Sequence, residues 1–416
     1  MLISMNTITL HTASWLFNPG RPPIPGGALA VRDGRILETG TAEELTSRYG
    51  AAQRIDYPGC VLLPGFVNAH IHLELTHFPA WRLRGGLDYH PRTFADWLVQ
   101  MVKVRRGVAP EEVLASLKAG IETSLWAGTT CVGDIITSPE LLQAYQGAPG
   151  SNRLYLELIG QDTSLFSGRL QKALDALKTF DASHHPGLSP HAPYTLNGAV
   201  LPAIAEAARR GEYPLSLHLA ESTAEDTLLF DSTGPLAELL YPLVGWSDFL
   251  PPPRRTTPAR FFDAAGLLGP QTLAVHCVHL TPADGVLLKE RGVTICLCPR
   301  SNERLAVGTA PVHLFRKLDI PLCLGTDSLA SNDSLSLWDE IRFALDIYRG
   351  ELSPDDLLVM ATSGGAAGLG LADAVGSLEP GKRADFQVVE LDGACTVQRL
   401  LSHGKLQAVL VGGVER

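Results

Sequence analysis

Beyond Val61 the chain alternates short apolar runs with stretches of helical spacing, and it does so eight times. The run that begins at Val61 is interrupted by Pro64-Gly65. Residues 129–134, 153–159, 187–191, 214–218, 272–276, 293–298 and 321–326 then read as further buried strands. Between or after them, residues 109–126, 170–180, 198–210 and 335–348 have helical periodicity, the first of these stopped by Gly128. Alternating strand and helix over this length means a parallel sheet, and eight units favour closure into a (β/α)8 TIM-like barrel. An open doubly wound sheet is the second architecture, weakened by the lack of a GxGxxG fingerprint.

The two ends of the chain read differently. Residues 3–10 look like a strand, and residues 28–37 look like two strands around an Asp33-Gly34 turn. Residues 376–390 are turn-rich and then strand-like, and residues 408–413 form another short strand. We expect residues 1–61 and 375–416 to join into one small discontinuous β-sandwich domain. It would bracket a catalytic barrel of residues 62–374.

Composition narrows the class. At 416 residues, with 45% hydrophobic content, there is ample material for a barrel core and an accessory domain. A net charge of −10 leaves no basic stripe for nucleic acid. Arg105-Arg106 and Arg254-Arg255 are isolated pairs, read as solvated or substrate-facing. The seven cysteines are odd in number and form no CxxC, which fits buried free thiols in a reducing compartment. The start of the chain has no signal-peptide pattern, and no apolar run is long enough to span a membrane. A cytoplasmic protein is expected, and a homodimer is compatible with this reading.

Polar residues at strand ends carry the chemistry. His70-Ile71-His72 follows the first apolar run, and residues i and i+2 of an extended segment point the same way. Both imidazoles can therefore reach one ion, although a lone HxH among thirteen histidines is weak evidence. Three further strands end in His218 (with Glu221 three residues on), in His276 and in Asp327. His70, His72, His218 and Asp327 suit a borderline divalent metal, zinc first and ferrous iron second. The fourth strand ends in Pro190-His191 and offers no lysine to bridge two metals, so one ion is expected. Such an ion lowers the pKa of bound water to about 7. Glu221 is placed to shuttle a proton, and His276, with Asp327, to hold and polarise the attacking water.

Other residues read more plainly. His279 caps the turn after His276, His184 and His185 sit at the surface, and His77 and His90 are solvated loop positions. Asp134 either lines the site or braces a neighbour, while Asn332 and Asp333 fix the loop after Asp327. The long connection 230–262 is either a lid or pocket wall, or a surface excursion.

Five phrases together resemble the amidohydrolase superfamily, and within it the branch of chlorohydrolases and of guanine, cytosine and adenosine-type deaminases. They are Pro64-Gly65-Phe66-Val67-Asn68-Ala69-His70-Ile71-His72, Ser216-Leu217-His218-Leu219-Ala220-Glu221-Ser222, Val275-His276-Cys277-Val278-His279-Leu280, Cys298-Pro299-Arg300-Ser301-Asn302 and Gly325-Thr326-Asp327-Ser328-Leu329-Ala330-Ser331-Asn332. The resemblance implies that His70, His72, His218 and Asp327 are metal ligands. It makes Glu221 the proton shuttle and His276 the water-orienting residue. His191, in Leu188-Ser189-Pro190-His191, matches a substrate-contacting histidine of the branch.

Glu74 in His72-Leu73-Glu74-Leu75, the Gly168-Arg169-Leu170 element and the long insertion have look-alikes among aminodeoxyfutalosine deaminases. Arg169 and Arg300 are candidates for a substrate anion, because arginine offers a bidentate fork; a structural salt bridge is the competing reading for each. The expected activity is hydrolytic release of ammonia from an aminated heterocycle or nucleoside. The favoured substrate is 6-aminodeoxyfutalosine, from an alternative menaquinone pathway. Its ribose would meet Glu74 and its benzoate carboxylate an arginine. S-adenosylhomocysteine, methylthioadenosine and adenosine are the near alternatives, with guanine deamination or chlorohydrolysis behind them. An inactive structural relative is the non-enzyme alternative, and the zinc cytidine-deaminase family is excluded by the lack of PCxxC.

Overall fold

The computed structural model describes residues 7–84, 89–180 and 183–416. Eight parallel strands follow one another in sequence order around a barrel: Phe66–Ile71, Thr129–Ile136, Arg153–Leu158, His185–Pro190, Leu215–Leu219, Thr272–His276, Thr294–Leu297 and Leu322–Leu324. The eighth returns to the first through a parallel bridge between Ile71 and Asp327, in which the Asp327 N–H donates to the His70 carbonyl at 3.1 Å. Gly325 permits that closure. A Cβ at this position would lie 2.8 Å from the His70 carbonyl oxygen and 2.9 Å from Cys296 Sγ. The strand ends of a barrel converge at one mouth, so the closing bridge brings the chemistry of the first and last strands together.

The chain ends form a second, 8-stranded sheet that includes Thr9–Leu16, Gly27–Arg32, Arg35–Thr41, Gln53–Pro64, Phe386–Glu390 and Lys405–Val411. It curls enough for Leu16, Leu29, Leu62, Phe386 and Leu410 to share one buried cluster, as in a sandwich. The expected N-terminal strand starts at Thr9 among the described residues; residues 3–6 of that expectation lie outside them. The Asp33-Gly34 turn is present, with φ of 50° and 75°, the geometry of a tight hairpin.

Pro64-Gly65 turns out to be the hand-over between the two sheets. The strand Gln53–Pro64 pairs with Phe386–Glu390, and the chain re-enters as barrel strand Phe66–Ile71. Gly65 approaches the second barrel strand so closely that a Cβ would sit 2.1 Å from Thr130 Oγ1. All seven cysteines are free and buried. Among the described residues no helix is long and apolar enough to cross a membrane.

Two elements shape the barrel mouth, one a helix not anticipated from the sequence and the other the long connection 230–262. Helix Phe94–Arg106 is capped by the Thr93 side chain and ends in Lys103, Arg105 and Arg106, cations that complement its C-terminal dipole. The insertion after the fifth strand contains the turns Leu236–Leu240 and Tyr241–Val244, and the Leu243 carbonyl accepts from Arg106 Nη2 at 3.0 Å.

Candidate active site

The first strand delivers His70 at its end and His72 just beyond, with their Nε2 atoms 3.2 Å apart. Asp327 brings Oδ1 to 3.7 Å from His70 Nε2 and 3.5 Å from His72 Nε2. Its other oxygen is fixed by the hydroxyls of Ser301 and Ser331, at 2.7 and 2.6 Å. The fifth strand adds His218, whose ring centre lies 4.9 Å from that of His70. His218 Nδ1 donates to the His191 carbonyl at 3.1 Å, which leaves its Nε2 to face the cluster.

His276 ends the sixth strand. Its Nδ1 is held by Asn302 Oδ1 at 2.9 Å, so the ring proton sits on Nδ1. Nε2 is buried without a hydrogen-bond partner among the described residues and faces Glu221 Oε1 at 3.6 Å. Ala220, His276, Cys277 and Asp327 all have positive φ, between 49° and 70°. Such backbone costs ~1–3 kcal/mol per residue and gathers where side chains must be aimed.

The electrostatics sort these groups. Burial lowers His72 to about 3 and His191 and His276 to about 4, and holds His218 well below its ordinary range. All four are therefore neutral imidazoles near pH 7. Burial works against ionisation of Asp327, yet the adjoining histidines hold its carboxyl well below the usual range. Glu221 goes the other way. Burial, with the charges of Asp327 and Glu225, holds its carboxyl well above the usual range, which favours its acid form.

Neutral imidazoles around an ionised carboxylate are the donor set of a zinc-type site. The candidate ligand atoms fall into two overlapping triads, His70/His72/Asp327 and His70/His218/His276, each within 4.8 Å. Two imidazole lone pairs at 3.2 Å repel unless a proton or cation lies between them. The residues present therefore fit a divalent ion.

Above this cluster lies a cavity of about 460 Å³. His72, His191, His218, Glu221, His276 and Asp327 form its floor, with His70 buried beneath, and Glu74 lies on one wall. Its outer walls are apolar and aromatic, built by Trp97, Leu98 and Met101 of the helix and by Leu240, Val244 and Trp246 of the insertion. Of the two readings of residues 230–262, the structure realises the pocket wall.

Arg169 and Arg300 do not line this cavity. Arg169 Nη1 donates to the Ile159 carbonyl at 3.0 Å and faces an adjoining space of about 370 Å³. Arg300 is engaged by Asp333 and, at 4.0 Å, by Asp339. The cations in the main cavity are Arg105 and Arg106, the former 3.8 Å from Glu74. Glu157, on the third strand, also lines it and was not singled out from sequence.

Asp134 braces a neighbour: it accepts from the Leu73 N–H at 2.9 Å and from the Tyr145 hydroxyl at 2.8 Å. His279 is tied to the Val307 carbonyl at 2.7 Å. His184 corrects its sequence reading. It is buried, with Nε2 2.9 Å from the Tyr145 carbonyl, because its ring fills the space beside Tyr145.

Comparison with known proteins agrees with this arrangement. Residues 61–416 match the model of the amidohydrolase family, and residues 27–52 match an imidazolonepropionase-like composite domain of bacteria. The chain is 30% identical over 403 residues to a 5-methylthioadenosine/S-adenosylhomocysteine deaminase of Syntrophobacter fumaroxidans, spanning 94% of this chain and 84% of that protein. It is 29% identical over 358 residues to an aminodeoxyfutalosine deaminase of Deinococcus radiodurans, spanning 82% and 80%. Among solved structures, an adenosine deaminase from Xanthomonas campestris with bound zinc superposes with a TM-score of 0.83 at 27% identity, covering 98% of this chain and 92% of that one. The chain belongs to the amidohydrolase family. Within that metal-dependent family it is a hydrolytic deaminase.

Proposed function

We propose that the chain removes the amino group of a purine-type ring in a modified adenine nucleoside, with 6-aminodeoxyfutalosine as the substrate that fits best. The observation that carries this reading is the composition of the cavity above the floor. Trp97 and Trp246 give it aromatic walls, and Arg105 and Arg106 line the same cavity as cations. An arene bearing a carboxylate is matched by that combination. The cationic role expected of Arg169 or Arg300 passes to Arg105 in this reading, while His191 is taken to contact the ring. The name of the Deinococcus radiodurans relative supports the same substrate.

His70, His72, His218 and Asp327 would hold one divalent ion, with zinc the first expectation. When bound, such an ion supplies Lewis acidity that makes water nucleophilic near neutral pH. The chain's own residues do the rest. His276 Nε2, fixed as an acceptor by Asn302, takes a hydrogen bond from the incoming water and orients it. The Glu221 carboxyl protonates the ring nitrogen next to the amino-bearing carbon, and later carries the water proton to the departing amine. One C–O bond forms and one C–N bond breaks; water is consumed and ammonia leaves.

The rival substrate is S-adenosylhomocysteine or methylthioadenosine, favoured by the name of the Syntrophobacter relative. A panel of 6-aminodeoxyfutalosine, S-adenosylhomocysteine, methylthioadenosine, adenosine, guanine, cytosine and a chlorotriazine, assayed for ammonia, decides. The proposal expects the highest kcat/KM for 6-aminodeoxyfutalosine. A value well below that for adenosine or S-adenosylhomocysteine contradicts it.

A further inference from the structure

Two carboxyls face the cavity beside the catalytic floor, and they differ in what the protein gives them. Glu74 is satisfied. It accepts from the Thr137 hydroxyl at 2.8–2.9 Å and from the Thr137 N–H at 3.2 Å, and Arg105 stands 3.8 Å away. Glu157 is not. Its side chain is 8% exposed, and its nearest polar neighbour of opposite character is His191 Nε2, at 3.9 Å, beyond hydrogen-bond reach. Among the described residues no side chain or backbone N–H donates to its carboxyl.

A carboxyl that is mostly buried and has no protein donor depends for its hydrogen bonds on what fills the cavity it lines. The third strand could seat any apolar residue there, as it does at Leu156 and Leu158 on the other face. Glu157 instead faces the barrel mouth beside His191 and lines the same cavity as Glu221. Its missing donors are therefore expected from the molecule that fills the cavity.

We propose that Glu157 is a specificity-determining residue, whose two carboxyl oxygens receive the vicinal hydroxyls of the substrate's sugar. This rests on the nucleoside reading above and moves the sugar contact from Glu74, which the protein already occupies, to Glu157. A site built to bond a hydroxyl rejects an analogue that lacks it, because its own polar group is then left unpaired. A free aminated base, with no sugar, leaves Glu157 unmatched.

The test crosses substrate deletion with residue deletion. Adenosine, 2′-deoxyadenosine and 3′-deoxyadenosine are assayed with the metal-loaded wild type, E157Q and E157L. Wild type is expected to prefer adenosine over each deoxynucleoside by about 10–100-fold in kcat/KM. In E157L adenosine falls to the level of the deoxynucleosides, which themselves change little; the isosteric E157Q narrows the gap while keeping the packing. An equal loss for all three substrates, or an unchanged preference, overturns the proposal. If none of the three is turned over and 6-aminodeoxyfutalosine releases no ammonia either, the nucleoside reading is what fails. Calorimetric binding of the same three compounds then judges Glu157 by itself, and equal affinities in wild type and E157L overturn its role.

Discussion

Asn302 accepts the Nδ1 proton of His276 at 2.9 Å, and through this contact the opposite nitrogen of His276 is left as a bare acceptor facing Glu221 at 3.6 Å. The tautomer of one side chain is thus set by a residue on the short helix Pro299–Arg304, which follows the next barrel strand. We expect Asn302→Leu to retain the bound metal and to lower kcat about 10–100-fold, the usual cost of losing a partner that orients a histidine. Unchanged kcat in a metal-replete N302L protein would show that His276 needs no such restraint.

Glu221 faces His276 Nε2 from the cavity floor at 3.6 Å, and burial raises its carboxyl well above the usual range. Glu221→Gln keeps the shape and the metal ligands but cannot give up or take back a proton. Turnover should fall about 100- to 10,000-fold with metal content intact. Metal analysis alongside steady-state rates checks both halves, and wild-type-like turnover would remove Glu221 from proton transfer.

His72→Ala takes one imidazole from the triad with His70 and Asp327. The variant should lose stoichiometric metal after dialysis. The wild type should melt at a higher temperature with metal than after chelation, since a ligand that binds only the folded state stabilises it. A fully metallated, active H72A protein would refute ligation by His72.

Much of this site was legible because a barrel writes its chemistry at strand ends. His70 and His72 at i and i+2, His218, Glu221, His276 and Asp327 were found that way, and the structure brings them together at the barrel mouth. Arg169 was chosen from the Gly168-Arg169-Leu170 resemblance and Arg300 for its bidentate fork, and neither signal says which way an arginine on helix Thr163–Lys178 or Pro299–Arg304 turns. Arg105 was read only as solvated or substrate-facing, because the helix that carries it, Phe94–Arg106, was not anticipated. Glu157 left a signal that went unread. In Leu154-Tyr155-Leu156-Glu157-Leu158 a single acid interrupts a buried strand, and such an acid must point inward or be paired.

Asp134 allows a stability test away from the floor. Burial raises its carboxyl to about 8, against the Leu73 and Tyr145 hydrogen bonds that favour ionisation. The folded state therefore holds a proton that the unfolded chain releases near pH 4. Its stabilisation is complete below that value and fades as pH rises from about 4 to about 8. Asp134→Asn removes this titration. The gap in urea midpoint between wild type and D134N should shift in favour of the variant between pH 5 and 8.5, and a gap independent of pH would contradict the assignment.

The most direct measurement follows the oxygen. Wild-type, metal-loaded protein is incubated with 6-aminodeoxyfutalosine, and separately with adenosine, in ¹⁸O-enriched water, with ammonia and product mass recorded together. Hydrolytic deamination predicts one ammonia per product and one ¹⁸O at the carbon that bore the amino group, with the bond to the sugar intact. Release of a free base, or turnover without ammonia, would contradict it.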